Sequence, residues 1–205
     1  MKKLNQRGLY ATACLFLFLF VVSCANISYL KVNYHLPAQT NELTGKKVFL
    51  AFVDERQNKN LLGDGARQDF KNFSENISLT ISRGKEEGSR IGAFELPSLF
   101  LEAFKRKFEA SGIAVVKGKT EAQIEVDIVL TEFLLDQANR KWQFDMGYEA
   151  RAVRGGQVLA KQMISGQSER FKLLGLKEAD ILLGESFTAL VNKLDVGRLL
   201  QQAGL

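Results

Sequence analysis

The sequence predicts an α+β protein with a mostly antiparallel sheet and two amphipathic helices packed on one face of it. Three observations lead to this fold class. In several segments apolar residues alternate with polar ones, which is typical of strands with one face in solvent. Two longer segments repeat apolar residues every three or four positions, as an amphipathic helix does. Along the chain these elements follow one another as strands, helix, strands and helix.

The composition is that of an ordinary globular protein. Of the 205 residues, 46% are hydrophobic and 25% are charged, and only 2 are prolines. These proportions exclude collagen-like, coiled-coil and intrinsically disordered chains. Both cysteines, Cys14 and Cys24, lie in or beside an N-terminal apolar segment, and His35 is the single histidine. Thiol catalysis, cysteine-based zinc sites and histidine-based triads therefore lack the residues that they require.

The first 23 residues have the pattern of a bacterial lipoprotein signal peptide. Three basic residues precede the apolar segment 8–22, which is shorter than the roughly 20 residues of a membrane-spanning helix. The segment leads into Val-Val-Ser-Cys at 21–24, which resembles a lipobox. We therefore expect Cys24 to be the first residue of the mature chain. It would carry diacylglycerol and an N-acyl chain such as palmitate, with no other cofactor.

Two further features indicate where the mature chain resides and what it does not bind. The residue after Cys24 is Ala25 and not Asp. By resemblance to the enterobacterial sorting rule, this favours the periplasmic face of the outer membrane of a Gram-negative bacterium. Loss of residues 1–23 removes three of the 28 basic residues and none of the 23 acidic ones, which leaves a net charge of +2. Such a charge gives no indication of nucleic-acid binding.

The first part of the mature chain is predicted to be a tether followed by a buried strand and a long loop. We expect residues 24–44 to form a lipidated, extended tether with an edge strand, and residues 45–205 to form a single domain. Lys47–Asp54 is a short continuous apolar run, which is typical of a strand buried on both faces. The polar segment from Asp54 to Ser74 is a candidate partner-binding loop because unstructured loops of this length are often functional.

The middle of the chain is predicted to contain a half-exposed strand, a loop and the first helix. Alternation over 77–82 predicts the strand, with an edge that is free to pair with another chain. The charged, glycine-rich segment 84–92 predicts a loop. The helix is predicted over 96–110, since three phenylalanines recur there every four residues, and 113–116 predicts a short strand.

The last part is predicted to be a three-stranded antiparallel meander followed by the second helix. Alternation predicts long strands near 124–131, 142–152 and 158–168, with Glu125 and Asp127 paired across the outer face with Arg151 and Lys161. A further apolar stripe predicts the helix over 177–194, and Asp195 is predicted to cap a short final helix.

Four charged residues of the long loop form the only cluster that the sequence offers as a site: Asp54, Glu55, Arg56 and Asp64. Neighbouring residues of a strand point to opposite faces, so Asp54 and Glu55 make a poor pair of catalytic carboxylates. Asp54 and Arg56 share a face, which predicts an ion pair that clamps the loop. No Ser-x-x-Lys occurs, and Gly63-Asp64-Gly65 is followed by no P-loop lysine. We predict no catalytic residue and no metal site.

Several short motifs resemble the YajG-type uncharacterised lipoproteins of Gram-negative bacteria. Besides the lipobox, they are Leu-Thr-Gly-Lys-Lys-Val at 43–48, Asp-Glu-Arg at 54–56, Ala-Ser-Gly-Ile at 110–113 and Ala-x-Ile-x-Val at 122–126. The likeness extends over most of the mature chain. It implies an α+β domain on the outer membrane and supplies no catalytic residue. A weaker likeness, in the order of strands and helices, is to the auxiliary lipoproteins of lipid-transport ABC systems.

The sequence therefore leads us to expect a non-enzymatic scaffold or accessory lipoprotein that binds another envelope component. Its partners would be the membrane, through the lipid anchor, and an envelope protein, without nucleic acid. The alternative is an auxiliary lipoprotein that holds or hands over lipid, which requires an open apolar groove between the phenylalanine-rich helix and the sheet. An enzyme ranks third, with the Asp54 to Asp64 cluster as its candidate site.

Overall fold

The computed structural model describes residues 28–84, 86–173 and 175–205, so the signal peptide and Cys24 lie outside the described residues. The strands are β1 (Ser28–Leu36), β2 (Lys47–Asp54), β3 (Phe73–Arg83), β4 (Ser89–Phe94), β5 (Ala114–Val116), β6 (Ile124–Ala138), β7 (Lys141–Arg154) and β8 (Gln157–Phe171). The helices are α1 (Asp64–Asp69), α2 (Leu96–Ala110), α3 (Lys177–Lys193) and α4 (Val196–Gln202). Within these ranges, no helix is long and apolar enough to cross a membrane.

The strands form two mixed sheets, where the sequence predicted one sheet that is mostly antiparallel. One sheet has five strands in the order β5-β2-β6-β7-β8, and the other has three in the order β1-β3-β4. Strands β5, β2 and β6 run parallel, as do β1 and β3, whereas β6, β7 and β8 form the predicted antiparallel meander. The α+β class is confirmed. Parallel pairing was not predicted because it joins strands that are distant in the sequence.

Both long helices pack on the same face of the five-stranded sheet, as the sequence predicts. In α2 the phenylalanine stripe is completely buried. The ring of Phe100 lies 6.0 Å from that of Phe133 in β6 and 5.5 Å from that of Phe187 in α3, measured between centroids. The ring of Phe104 lies 5.2 Å from that of Tyr148 in β7. These edge-on aromatic contacts join both helices to the sheet in one core.

The segment predicted as a tether is part of this core from Ser28 onward. Strand β1 runs parallel to β3 and buries Leu30, Val32 and Tyr34 completely or almost so. The segment is extended over Ser28–Leu36, as expected, and this part of it belongs to the domain. Alternation predicts the extended conformation of such a segment, whereas its docking depends on β3, more than forty residues later in the sequence.

Strand β3 has no free edge, in contrast to the sequence prediction for 77–82. It lies between β1 and β4, and β4 occupies part of the segment 84–92 that the sequence predicts as a loop. The prediction of a free edge was wrong because alternation shows which face of a strand is exposed to solvent and carries no information on what lies along its edges. The helix predictions hold more closely. Helix α2 has the predicted bounds, and the carboxylate of Asp195 accepts a hydrogen bond from the N–H of Arg198 at the start of α4.

The long loop between β2 and β3 lies along the second half of β6. Strand β2 pairs with β6 only as far as Asp54 opposite Leu130. Beyond that point Leu62 forms a parallel bridge with Leu135, and the N–H of Gly63 donates to the carbonyl oxygen of Leu135 at 2.9 Å. Helix α1 follows at once. The loop therefore lies beside β6 beyond the point where its pairing with β2 ends.

Candidate functional site

The ion pair predicted between Asp54 and Arg56 is present and holds the long loop. The guanidinium of Arg56 donates from Nε to Oδ1 of Asp54 at 3.1 Å and from Nη2 to Oδ2 at 3.0 Å. Its Nη1 donates to the carbonyl oxygen of Phe133 in β6 at 3.2 Å. The side chain of Arg56 is buried, and Lys59 Nζ lies 3.1 Å from Oδ1 of Asp54. The pair therefore fastens the start of the loop to β6.

This environment gives the Asp54 carboxylate a structural role. Partial burial raises its pKa, but hydrogen bonds from Arg56 and Lys59 more than offset that effect and lower the pKa to about 2. A carboxylate that stays ionised and has its oxygens engaged by two cations is poorly suited to transfer protons near neutral pH. Its function in the fold is to orient the loop.

The four candidate residues of the loop are not gathered into one site. Glu55 points away from Asp54 and lies 3.5 Å from Nη1 of Arg151 in β7. Asp64 lies in the first turn of α1, next to β6, where the N–H of Gly65 donates to the Asp136 carboxylate at 3.1 Å. Among the residues that the structure describes, no group of three or more His, Cys, Asp or Glu side chains could hold a metal ion.

The charges on the outer face of the five-stranded sheet centre on Glu149, which the sequence analysis missed. Asp127 lies opposite Arg151 in the β6–β7 register, but the guanidinium of Arg151 bonds Glu149 on its own strand at 2.5 Å. Lys161 Nζ lies 3.3 Å from the second Glu149 oxygen. The Arg151 hydrogen bond is the main cause that lowers the pKa of Glu149. Cross-strand pairing is thus present for Lys161, with a different acidic partner than predicted.

Strand β8 presents an uncovered apolar edge, which the sequence analysis also missed. It is the last strand of the five-stranded sheet, and its outer edge has no strand partner within residues 28–84, 86–173 and 175–205. In the same ranges, no hydrogen bond outside the β7 ladder involves a main-chain group of β8. Val158, Leu159 and Met163 are exposed, Met163 to 75%. The sequence signal that could have indicated this edge is Met163, which occupies a position where the alternation predicts a polar residue.

A shallow depression of about 530 Å³ lies beside this edge. It is lined by the first apolar residues of β8 and by the charged cluster around Glu149. An apolar strand edge therefore borders a set of fixed charges, which is the arrangement of a protein-binding surface with an apolar centre and a polar rim.

The space between α2 and the sheet is filled by side chains. Phe100, Phe104 and Phe108 have no exposed surface. The rings of Phe100 and Phe104 contact residues of β2, β6, β7 and α3. The alternative function, in which the protein holds lipid, requires an open apolar groove at this place. The closely packed phenylalanines occupy that position.

The fold defines the chain as an α+β domain built from two mixed sheets, and a solved structure shares this fold. No family model matches the sequence, and no curated protein compared with it does. The chain is similar to the crystal structure of protein XCC0632 from Xanthomonas campestris, of family DUF330, with a TM-score of 0.55 and 14% identity over 88% of this chain and 97% of that chain. At this identity the likeness shows the fold.

Two further solved structures match with lower TM-scores. One is lipoprotein GNA1162 from Neisseria meningitidis, with a TM-score of 0.39 and 12% identity over 72% of this chain and 96% of that chain. The other is a homologue of the neuraminyllactose-binding hemagglutinin from Helicobacter pylori, with a TM-score of 0.35 and 11% identity over 82% of this chain and 92% of that chain.

Proposed function

We propose that the mature chain is a lipoprotein on the periplasmic face of the outer membrane that binds an extended segment of another envelope protein along β8. It acts as a scaffold or accessory subunit, without catalysis and without a cofactor other than its acyl chains. The observation that carries the proposal is the uncovered edge of β8 with its exposed apolar side chains.

The lipid anchor is supported by the lipobox and by its agreement with the YajG-type resemblance. Two or more acyl chains hold a protein on a membrane for its lifetime, whereas one chain binds only marginally. Acylation of Cys24 would therefore make the chain a fixed component of the envelope. A fixed component whose described residues form no evident catalytic cluster suits a role in which it positions other proteins.

The edge of β8 has the chemistry of a strand-addition site. In this mode of recognition, an extended peptide adds to a sheet edge, main-chain hydrogen bonds supply affinity and side-chain contacts supply specificity. Proteins normally protect such edges with outward-pointing charges, proline or coverage by another element. In β8 the basic residue between Leu159 and Met163 is Lys161, whose ammonium pairs with Glu149 on the sheet face and so leaves the apolar neighbours accessible.

The test of the partner site is photo-crosslinking in living cells with a photoreactive amino acid at Met163. The matched control is Ile91, an exposed apolar residue on β4, which is the edge strand of the other sheet. We expect one dominant protein adduct from position 163 and none from position 91. Equal adducts from both positions, or none from 163, would reject β8 as the site. An adduct between two copies of this chain would show that the partner of β8 is a second copy and not another envelope protein.

The test of the anchor is the mass of the N-terminal peptide of the mature protein. We expect residues 1–23 to be absent and Cys24 to carry three acyl chains. Cys24→Ser is expected to leave the signal peptide uncleaved by the lipoprotein peptidase. An unmodified Cys24 thiol in the mature chain would refute the lipoprotein assignment.

A further inference from the structure

The described chain begins very close to the proposed lipid anchor. Ser28, the first residue of β1, follows Cys24 by four residues. An extended chain advances at most about 3.6 Å per residue, so these four residues reach about 14 Å. Since β1 is fixed in the core, the region of the domain around Ser28 must lie next to the bilayer once Cys24 is acylated.

The connection between β8 and α3 lies in this region. The N–H of Ser28 donates to the carbonyl oxygen of Asn72 at 3.3 Å. Ser28 and Asn72 share a surface depression with Asp69 and Leu176. The carboxylate of Asp69 accepts a hydrogen bond from Lys172 Nζ at 2.5 Å. The segment Asp69–Asn72 therefore links the start of β1 to the β8–α3 connection.

The side chains of this connection have the chemistry of a membrane interface. Phe171 is 65% exposed and Leu173 is 74% exposed. Lys141 Nζ lies 5.1 Å from the centre of the Phe171 ring, and Lys172 Nζ lies 5.3 Å from that of Trp142. Large apolar side chains beside lysine stems suit the boundary between headgroups and acyl chains, because such stems lie along apolar surface while their charged ends stay in the polar layer. Here the ammonium groups of Lys141 and Lys172 pair with the carboxylates of Glu169 and Asp69.

We infer that Phe171 and Leu173 insert into the interfacial layer of the same leaflet that holds the acyl chains of Cys24. This inference rests on the proposed lipidation, since the anchor is what brings the connection to the bilayer. It also orients the domain. Strand β8 runs back from Phe171, and eight residues at about 3.3 Å each place Met163 about 26 Å along the strand from the membrane contact. The extended strand thus separates the apolar edge from the membrane contact.

The experiment is a depth measurement on the full-length acylated protein in vesicles of phosphatidylethanolamine and phosphatidylglycerol. In the mature chain Cys24 is the single cysteine, and the proposed thioether to diacylglycerol blocks its sulfur, so Leu173→Cys and Phe171→Cys each provide one site for a nitroxide label. Val158→Cys is the matched control because Val158 is 52% exposed and lies at the far end of the same strand.

We expect labels at 171 and 173 to collide more often with dissolved oxygen than with a water-soluble nickel chelate, and the label at 158 to show the opposite preference. Circular dichroism of each variant verifies that the fold is retained, and two label positions guard against a local defect at either one. Labels at 171 and 173 that behave like the label at 158, on a chain with acylated Cys24, would overturn this inference alone. An unmodified Cys24 would overturn the proposed function as well.

Discussion

The hydroxyl of Thr188 donates a hydrogen bond to the carbonyl oxygen of Asn33 at 3.2 Å and accepts one from the N–H of His35 at 3.1 Å. One turn further along α3, the amide of Asn192 donates to the carbonyl oxygen of His35 at 2.9 Å. Side chains of a helix thus occupy the hydrogen-bonding positions of a strand along the outer edge of β1. Edge strands are commonly protected by such cover. The edge of β8, by contrast, has no comparable partner among the described residues and is therefore available to an external strand.

Thr188→Val is expected to destabilise the domain by about 0.5–1.5 kcal/mol, because it removes two solvent-accessible hydrogen bonds, to the Asn33 carbonyl oxygen and from the His35 N–H. Valine keeps the shape of threonine and removes only the hydroxyl. Urea denaturation followed by circular dichroism measures the change. Thr188→Ser, which retains the hydroxyl, is the control and should stay close to the original stability. If both variants have the same stability as the parent, the hydroxyl does not protect β1.

Arg56→Met is expected to lower the free energy of unfolding by about 1–3 kcal/mol, because it removes the hydrogen bonds of a buried guanidinium to Asp54 and to the Phe133 carbonyl oxygen. The loop between β2 and α1 should lose its attachment to Phe133. Hydrogen exchange is the measurement, with faster exchange expected at Leu135, whose N–H donates to Leu61 of the loop. Arg56→Lys tests the geometry, because a lysine cannot make the two-pronged contact. A lysine variant as stable as the parent would show that charge alone suffices.

Asp54 should make stability depend on pH in the acid range. Its folded pKa of about 2 lies below the ordinary value of 3.8. The unfolded chain therefore binds more protons than the folded chain between about pH 2 and pH 3.8. The contribution of Asp54 to the free energy of unfolding is present above about pH 4 and is lost as the pH falls towards 2. Denaturation curves at several pH values should show a smaller acid loss in Asp54→Asn than in the parent. Identical pH profiles would mean that Asp54 has an ordinary pKa.

Lys107 should make stability rise with pH in the alkaline range. Burial lowers its pKa from 10.5 to about 8, although Asp195 partly opposes the shift, and its ammonium donates to the carbonyl oxygen of Asn192 at 3.2 Å. Between these values the unfolded chain binds more protons, so stability increases from about pH 8 to pH 10.5 and is lowest below pH 8.

Lys107→Met is therefore expected to be more stable than the parent at pH 7, by about 1–3 kcal/mol, and to lose the alkaline rise. Thermal melts at pH 7 and pH 10 give both quantities. Lys105→Met, on a more exposed position of the same helix, is the control and should change neither. A parent protein with no gain in stability between pH 8 and pH 10 would contradict the burial effect.

The helices and the meander could be predicted from the sequence because their signals are local. Phe100, Phe104 and Phe108 lie one turn apart on α2, and each strand of the meander pairs with the next strand along the chain. The two-sheet arrangement could not be predicted in this way. It depends on the pairing of β1 with β3 and of β2 with β6, and no residue pattern within a strand specifies its distant partner.

For the candidate site, sequence spacing predicted the pairing of Asp54 with Arg56 and little else. Residues two apart on a strand share a face, so that contact is local. The third bond of Arg56 goes to Phe133, and the exposure of Met163 and Phe171 depends on what covers each face and edge of the sheet. Such facts arise from tertiary packing. The residues proposed to meet the partner and the membrane therefore came from the structure.

The position of β1 also determines how the protein would bear a mechanical load. A pull between a partner held on β8 and acyl chains on Cys24 would enter the domain at Ser28, the first residue of β1. Strand β1 is paired with β3 from Leu30 to Leu36 and held by α3 on its other edge. The component of such a pull that lies parallel to β1 would load these bonds together, in shear. The anchored strand would therefore transmit tension from the membrane to the core while the domain stays folded.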